Sequence, residues 1–131
     1  MKRAIIAIIM LATGTCWAQS ADVRFTQDKS GRVLELRGLY SDANCLEATI
    51  VGTVVKRVFA EDGVSMTGFV LEMKSGAREF VNADIPAELD QITRGIVLTG
   101  LQTLLREGRL VIVGVKACGA AGRVQFLDRV N

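Results

Sequence analysis

The sequence predicts a mostly β domain with one α-helix, in the order β-β-β-α-β-β, preceded by an N-terminal strand or hairpin extension. Two observations support this fold class. Runs rich in β-branched residues alternate with short turn segments both before residue 84 and after residue 108. Between these two positions the apolar residues change from the spacing of strands to the spacing of a helix.

The chain begins with the three-part pattern of a secretory signal. A positive start at residues 2–3 precedes the apolar run 4–12, and small residues then lead to a cleavage site after Ala18. The apolar run is too short to span a bilayer, which takes about 20 residues, so no transmembrane helix is expected. A lipidated Cys16 is the alternative, although no branched apolar residue stands three positions before it. Both alternatives predict a periplasmic or secreted protein.

Composition narrows the range of functions. The chain has no histidine, which removes the commonest general base and the commonest zinc ligand. Signal cleavage removes Lys2 and Arg3 from the 16 basic residues, which leaves as many basic as acidic residues, 14 of each. A net charge near zero provides no general attraction for nucleic acid. We therefore expect no catalytic residue, no metal, no cofactor and no nucleic-acid partner.

Two cysteines, Cys45 and Cys118, remain after cleavage. An even pair in an oxidising compartment predicts a disulfide, and two free buried thiols are the alternative. Closing so long a loop would stabilise the fold by about 4 kcal/mol, if loop closure acts through the entropy of the unfolded chain.

The first strands show clear turn signals. Residues 33–36 form a short strand, for which residues 23–25 are a candidate partner across the turn 29–31. The next strand, 46–59, is rich in β-branched residues and is long for a strand. Its internal Gly52 predicts a bulge or a sharp bend.

Two further strands continue an antiparallel meander. They cover residues 64–73, with Gly68 in the middle, and residues 78–83. The segments 60–63 and 74–76 contain the acidic, serine and glycine residues that are typical of turns. The loop 60–63 is also a candidate ligand-binding loop.

The helix follows this meander. Asp84 is expected to cap it and Pro86 to lie in its first turn, because those residue types suit these positions. Helical spacing continues to about Glu107, and Gly108 ends it. The expected apolar positions are Leu89, Ile92, Ile96, Leu101, Leu104 and Leu105.

Leu98 widens the apolar arc of the helix to the side opposite Leu89. Such a helix needs to be covered on more than one side. The N-terminal segment, through Val33, Leu34 or Tyr40, would provide one cover. A subunit interface of a homo-oligomer is the alternative.

Two strands complete the order, at residues 109–118 and 123–130, joined by the glycine-rich loop 119–122. This is the order of the OB-fold, a five-stranded barrel with a helix across one end. In a small barrel the first strand has to bend sharply to pair on both sides, which agrees with its internal Gly52.

The chain resembles the OB-fold over residues 46–130 at the level of this pattern, and it resembles small exported OB-fold proteins of bacteria. The receptor-binding subunits of pentameric toxins share the fold, a signal peptide and a disulfide, but none of their sugar-binding residues align here. The resemblance divides the chain into a signal peptide (1–18), an N-terminal extension (19–44) and an OB-fold-like domain (45–131). It also implies that Cys45 and Cys118 lie on neighbouring strands.

Basic and aromatic residues are interleaved along the predicted strands, as on the ligand face of many OB-folds. The interpretation that we favour is that the phenylalanines belong to the core and the cations are solvated, because the mature net charge is zero and the compartment holds little nucleic acid. The candidate residues are Arg57, Phe59, Phe69, Lys74, Arg78, Phe80, Lys116 and Arg123.

These features favour an exported, non-enzymatic binding module for a protein, a glycan or a small molecule. The ligand would lie on the barrel face or at the loops 60–63 and 119–122. The alternative is a structural or receptor-binding subunit of an envelope or toxin-like oligomeric assembly. An enzyme is the third hypothesis, and it would require a deep polar pocket.

Overall fold

A computed structural model describes residues 23–40, 44–120 and 123–131. The predicted signal peptide, Cys16 and the tip of the loop 119–122 lie outside these residues. Within the described ranges, no helix has the length and apolar character needed to cross a membrane. The elements are β1 (Arg24–Gln27), β2 (Val33–Arg37), β3 (Leu46–Phe59), β4 (Met66–Glu72), β5 (Arg78–Asn82), α1 (Gln91–Leu104), β6 (Leu110–Cys118) and β7 (Val124–Val130).

The last five strands close into a barrel. Antiparallel ladders join β3 to β4, β4 to β5, β3 to β6, and β6 to β7. A parallel contact with Asn82 opposite Phe126 joins β5 to β7 and completes the ring. The helix α1 connects β5 to β6. The predicted order and the OB-fold-like barrel are therefore confirmed. β3 has its predicted bounds, and the other barrel strands differ from prediction by at most two residues at an end.

The long strand β3 changes partners in its middle. Residues 46–53 pair with β6, and residues 53–59 pair with β4. Gly52 lies at this change and is buried. A Cβ there would lie 3.0 Å from the carbonyl oxygen of Glu72, so the close approach of β4 leaves no room for a side chain. The predicted bend at Gly52 is thus explained by strand pairing on both sides.

The disulfide closes the seam between β3 and β6. Cys45 stands immediately before β3 and Cys118 ends β6, and their Cα atoms are 4.7 Å apart. Leu46 and Ala117 are paired next to the bridge, so the ladder itself brings the two sulfur atoms together. The predicted pairing of the two cysteines is confirmed.

The N-terminal hairpin, formed by β1 and β2, lies beside β7 and covers α1. β2 meets β7 with Leu36 opposite Val130. A Cβ on Gly100 of the helix would lie 3.0 Å from Val33 Cγ1 and 3.2 Å from Leu36 Cδ1, so the two elements are in close contact. The predicted cover by the N-terminal segment is therefore present, and Val33 contributes to it.

The other two expected cover residues have different surroundings. Leu34 is 40% exposed, and the ring of Tyr40 stacks on Phe126 with 4.3 Å between centroids. Leu98 is half-buried. A subunit interface at Leu98 stays a prediction.

The start of α1 corrects the predicted cap. The helix begins at Gln91 and its N-cap is Asp90, whose carboxylate accepts a hydrogen bond of 2.8 Å from the Thr93 amide. Asp84 was wrong as the cap, because residues 83–86 have no regular secondary structure. Pro86 also precedes the helix, and its carbonyl accepts a hydrogen bond from Arg94. Capping residues occur twice in this segment, at Asp84 and Asp90, and only Asp90 stands directly before the helix.

The buried face of α1 also differs from the expected stripe. Val97, Gly100, Leu101 and Leu104 are buried, whereas Ile92 is 79% exposed. The helix ends at Leu104 rather than at Glu107. The stripe was wrong at Ile92 because the contacts with β2 and the barrel are made by the second half of the helix.

Candidate functional site

The candidate ligand-face residues do not form one continuous face. Phe69 is wrong as a ligand-face residue, because its side chain is completely buried in the core. Lys74 is exposed in the turn between β4 and β5. The others separate into a pair on β3, a lysine on β6 and a group at the first residues of β5 and β7.

Of the two candidates on β3, Arg57 contacts the C-terminal end of the helix. Arg57 donates from Nη1 to the carbonyl of Gln102 at 3.5 Å, and its Nε lies 4.0 Å from the carboxylate of Glu107. Its guanidinium also lies 5.3 Å from the centre of the Phe59 ring, which packs against the core. Arg109 caps the same helix end by donating to the carbonyl of Leu104 at 2.9 Å. These contacts leave Arg57 little freedom to meet a ligand.

Lys116 is paired within the barrel wall. Its Nζ lies 2.7 Å from the carboxylate of Glu47 on the neighbouring strand β3. The hydrogen bond and the charge of Lys116 lower the pKa of Glu47 below its usual value of 4.5. Cross-strand pairing of opposite charges accounts for both side chains.

The third group forms an open groove between β5 and β7. These strands are parallel and meet at Asn82 and Phe126, and their earlier residues border a space of about 430 Å³. Asn82 donates to the carbonyl of Gln125 at 3.0 Å, and the Gln125 amide donates to the carboxylate of Glu79. The residues that line the groove are Arg78, Glu79, Phe80, Asn82, Arg123, Val124 and Gln125.

Phe80 provides the apolar surface of the groove. Its ring lies over Gly68 on the neighbouring strand β4, where a Cβ would overlap the ring. Gly68 is buried, and Phe80 remains 46% exposed. Because Gly68 has no side chain, the Phe80 ring can lie against the barrel wall. The ring still remains accessible to a ligand.

Two cations line the same groove as this ring. Arg78 lies 3.4 Å from the carboxylate of Glu72, and most of its side chain is exposed. The side chain of Arg123 has no ion pair or hydrogen bond with any residue that the structure describes. The groove thus combines an accessible aromatic ring with guanidinium groups that have donors to spare.

The two candidate loops contribute less to the groove. In the loop between β3 and β4, the carboxylate of Asp62 accepts hydrogen bonds from the amides of Val64 and Ser65 and from the Ser65 hydroxyl. These hydrogen bonds, with the Ser65 amide first, lower the pKa of Asp62. Of the loop 119–122, only its first two residues are described. Among the residues with coordinates, no cluster of acidic or cysteine side chains could hold a metal ion.

Sequence reasoning identified both arginines and Phe80 but missed the two amides. Asn82 and Gln125 are 43 positions apart and belong to different predicted strands. Only the parallel pairing of β5 with β7 brings them together. The OB-fold strand order would have placed those strands side by side, and it offered the one available signal.

The fold and the site define an OB-fold-like barrel with a disulfide at one seam and an open aromatic and cationic groove on its wall. Comparison with known proteins finds no family model that matches the chain and no matching curated protein.

Proposed function

We propose that the protein is an exported, non-enzymatic binding module that holds an acidic glycan in the groove between β5 and β7. The observation that carries the proposal is the accessible Phe80 ring over Gly68, with Arg78 and Arg123 in the same groove. Few precisely placed polar groups around an apolar surface are typical of small-ligand sites.

The chemistry of the groove favours a sugar that carries an acid. An exposed aromatic ring offers its negative face to the C–H groups of a sugar ring. A guanidinium binds a carboxylate through two parallel hydrogen bonds. The open groove borders a space of about 430 Å³, which is within the size range of small-ligand sites.

Two features support export to the periplasm or the medium. Residues 1–18 have the pattern of a secretory signal. The Cys45–Cys118 disulfide suits an oxidising compartment. The barrel also agrees with the resemblance to small exported OB-fold proteins of bacteria. Mass spectrometry of the protein recovered from the periplasm or medium should find Gln19 at its N-terminus. Protein that keeps residues 1–18 in the cytoplasm would contradict export.

Binding can be tested with an oligosaccharide of uronic acids. We would titrate it into the exported protein and follow amide shifts by NMR and heat by calorimetry. Arg123→Gln should weaken binding about tenfold, because it removes a charge-assisted hydrogen bond. Phe80→Ala should weaken it by up to tenfold through loss of the stacking surface.

Phe25→Ala is the matched control for Phe80→Ala, because Phe25 is also partly exposed but lies on β1. It should leave binding unchanged. Amide shifts confined to β5 and β7 support the site. The absence of any shift, or equal losses in the Phe25 and Phe80 variants, would overturn the proposal.

A subunit of an envelope or toxin-like assembly is the second candidate, and a different surface favours it. The helix is covered by β2, but Val51, Leu110 and Ile112 expose apolar side chains on the outer side of β3 and β6. Val51 and Ile112 are directly opposite in the ladder. Light scattering would show an oligomer that dissociates with Ile112→Glu, whereas dissociation with Leu98→Glu instead would place the interface on the helix. A monomeric wild-type protein would exclude this candidate.

A further inference from the structure

A second cavity lies between the N-terminal hairpin and the end of the helix. It has a volume of about 230 Å³ and shares no residue with the groove. Three arginines line it, and each comes from a different segment: the turn before β2, the residues after α1 and the residue before β6. The lining residues are Arg32, Val33, Leu34, Thr103, Leu104, Arg106 and Arg109.

The cavity carries three positive charges and no carboxylate in its lining. Arg32 has a carboxylate nearby, but Asp28 Oδ2 lies 3.8 Å from its Nε, beyond hydrogen-bond distance. The other oxygen of Asp28 accepts bonds from Ser30 and from the Arg32 amide, and these bonds lower the pKa of Asp28. Asp28 is thus committed mainly to its own turn.

The other two arginines retain free donors. Arg109 uses Nη1 for the carbonyl of Leu104, which leaves most of its five N–H groups available. The side chain of Arg106 makes no hydrogen bond or ion pair with any of the described residues. Three guanidinium groups line one cavity, so an anion held there has N–H donors from three different segments.

The end of the helix explains only part of this cluster. A helix C-terminus carries about half a negative charge, so one arginine there would complement it. Arg109 already fills that role through Leu104, and Arg57 reaches Gln102 nearby. The remaining positive charge exceeds what the helix end requires, and it favours an anion with more than one charge.

We propose that this cavity binds a tetrahedral oxyanion that carries close to two negative charges, of the kind found in phosphate monoesters and sulfate esters. The cavity volume of about 230 Å³ has room for the oxyanion and the first atoms of its carrier. The floor is apolar at Val33 and Leu104, so a small organic carrier has a surface to contact. This site does not depend on the proposed glycan groove.

Calorimetry at low ionic strength tests the site with inorganic phosphate, sulfate and acetate as probes, using the exported protein. Phosphate and sulfate should bind, and acetate should bind at least tenfold more weakly because it carries one charge. Glucose 6-phosphate separates the two sources of the anion. If it binds at least as well as phosphate, the ligand is a carried ester, and if it binds more weakly the ligand is the free ion. Both results support the site.

Arg106→Gln should weaken phosphate binding about ten- to hundredfold, because it removes charge-assisted hydrogen bonds. Arg106→Lys should give an intermediate loss, since an ammonium cannot bind through two parallel bonds. Arg37→Gln is the matched control: Arg37 is an exposed arginine on β2 that pairs with Glu35 outside the cavity. It should keep wild-type affinity.

Arg106 is exposed and makes no side-chain contact of these kinds within the described residues, so its variants should fold, which circular dichroism would verify. Arg32→Gln provides a second variant from a different segment and should also weaken binding. Phosphate that binds all variants equally, or that fails to bind the wild-type protein, would overturn the proposal.

Discussion

The barrel and the N-terminal hairpin are held by different interactions. In the barrel, ladders of backbone hydrogen bonds join all five strands into a ring, and a disulfide closes the seam between β3 and β6. In the hairpin, β1 is exposed along its whole length, and among the strands that the structure describes it pairs with β2 alone. β2 touches β7 with one pair in register, Leu36 and Val130.

Side-chain packing compensates for this short ladder. Val33, Leu36 and Leu39 of the hairpin region are buried, and the first two contact the helix at Gly100. The Leu39 amide donates to the carbonyl of Asp128 at 3.0 Å, next to the stacked rings of Tyr40 and Phe126. The barrel thus combines a closed ring of backbone pairing with most of the buried core, and the hairpin depends on a few apolar side chains.

Removal of the disulfide should have the largest effect, and it should act on the barrel. The bridge spans 73 positions, so replacing both cysteines by alanine should lower the free energy of unfolding by about 4 kcal/mol in a loop-entropy treatment. Urea denaturation measures this change. The wild-type protein under reducing conditions is the control and should lose a similar amount. Equal free energies of unfolding for the disulfide-bonded wild-type protein and the double-alanine variant would contradict the expectation.

Leu36→Ala tests the hairpin directly. Leu36 is completely buried between β7 and the helix, so the cavity left by its truncation should cost about 3 kcal/mol. Leu34→Ala is the matched control, because this neighbour on the same strand is 40% exposed and should cost about 0.5 kcal/mol or less. Similar losses in both variants, measured by urea denaturation, would mean that β2 is not held by its buried face.

The barrel and the hairpin also differ in how much of their structure the sequence could predict. The barrel strands have strong local signals: β-branched runs, turn residues and Gly52 at the bend. Their order was enough to predict the OB-fold-like barrel and the neighbouring positions of the two cysteines. The hairpin and helix have weaker signals, because their buried residues depend on which long-range surfaces meet. The exposed Ile92 shows this, and so does Gly100, which has the helical spacing of the buried face but no apolar side chain to mark it.

The candidate site was predictable only in part for a related reason. Residue type pointed to Arg78, Phe80 and Arg123, which the parallel contact of β5 and β7 brings to one groove. Residue type alone could not separate them from Arg57 and Lys116, whose partners come from distant segments. The three-arginine cavity gave no sequence signal, because each arginine lies next to a different element and only the docking of the hairpin brings them together.

The cap of α1 offers a smaller test that separates the predicted helix start from the one found. Asp90→Ala should lower the melting temperature by a few degrees, because it removes the acceptor for the Thr93 amide. Asp84→Ala is the control and should have little effect, since residue 84 lies six positions before the cap. Thermal melts followed by circular dichroism measure both. If Asp84→Ala lowered the melting temperature more than Asp90→Ala, Asp84 would be the cap as the sequence predicted.

The smallest effect is expected from pH. Hydrogen bonds and charged neighbours lower the pKa of Asp28, Glu47, Asp62 and Asp90 in the folded protein, below the ordinary values of 3.8 for aspartate and 4.5 for glutamate. These carboxyl groups bind fewer protons in the folded state than in the unfolded state, so their stabilisation is present above the ordinary values and is lost as the pH falls through the lowered ones.

The chain has no histidine, the side chain whose ordinary pKa lies between pH 5 and 8. We therefore expect the urea midpoint to be flat over this range and to decline below about pH 4. Because all four carboxyl groups are exposed, the decline should be gradual and smaller than the loss caused by Leu36→Ala. Glu47→Gln, which removes one titrating group from the barrel wall, should reduce the decline slightly. A midpoint that changes sharply between pH 6 and 8 would contradict this account of the ionisable groups.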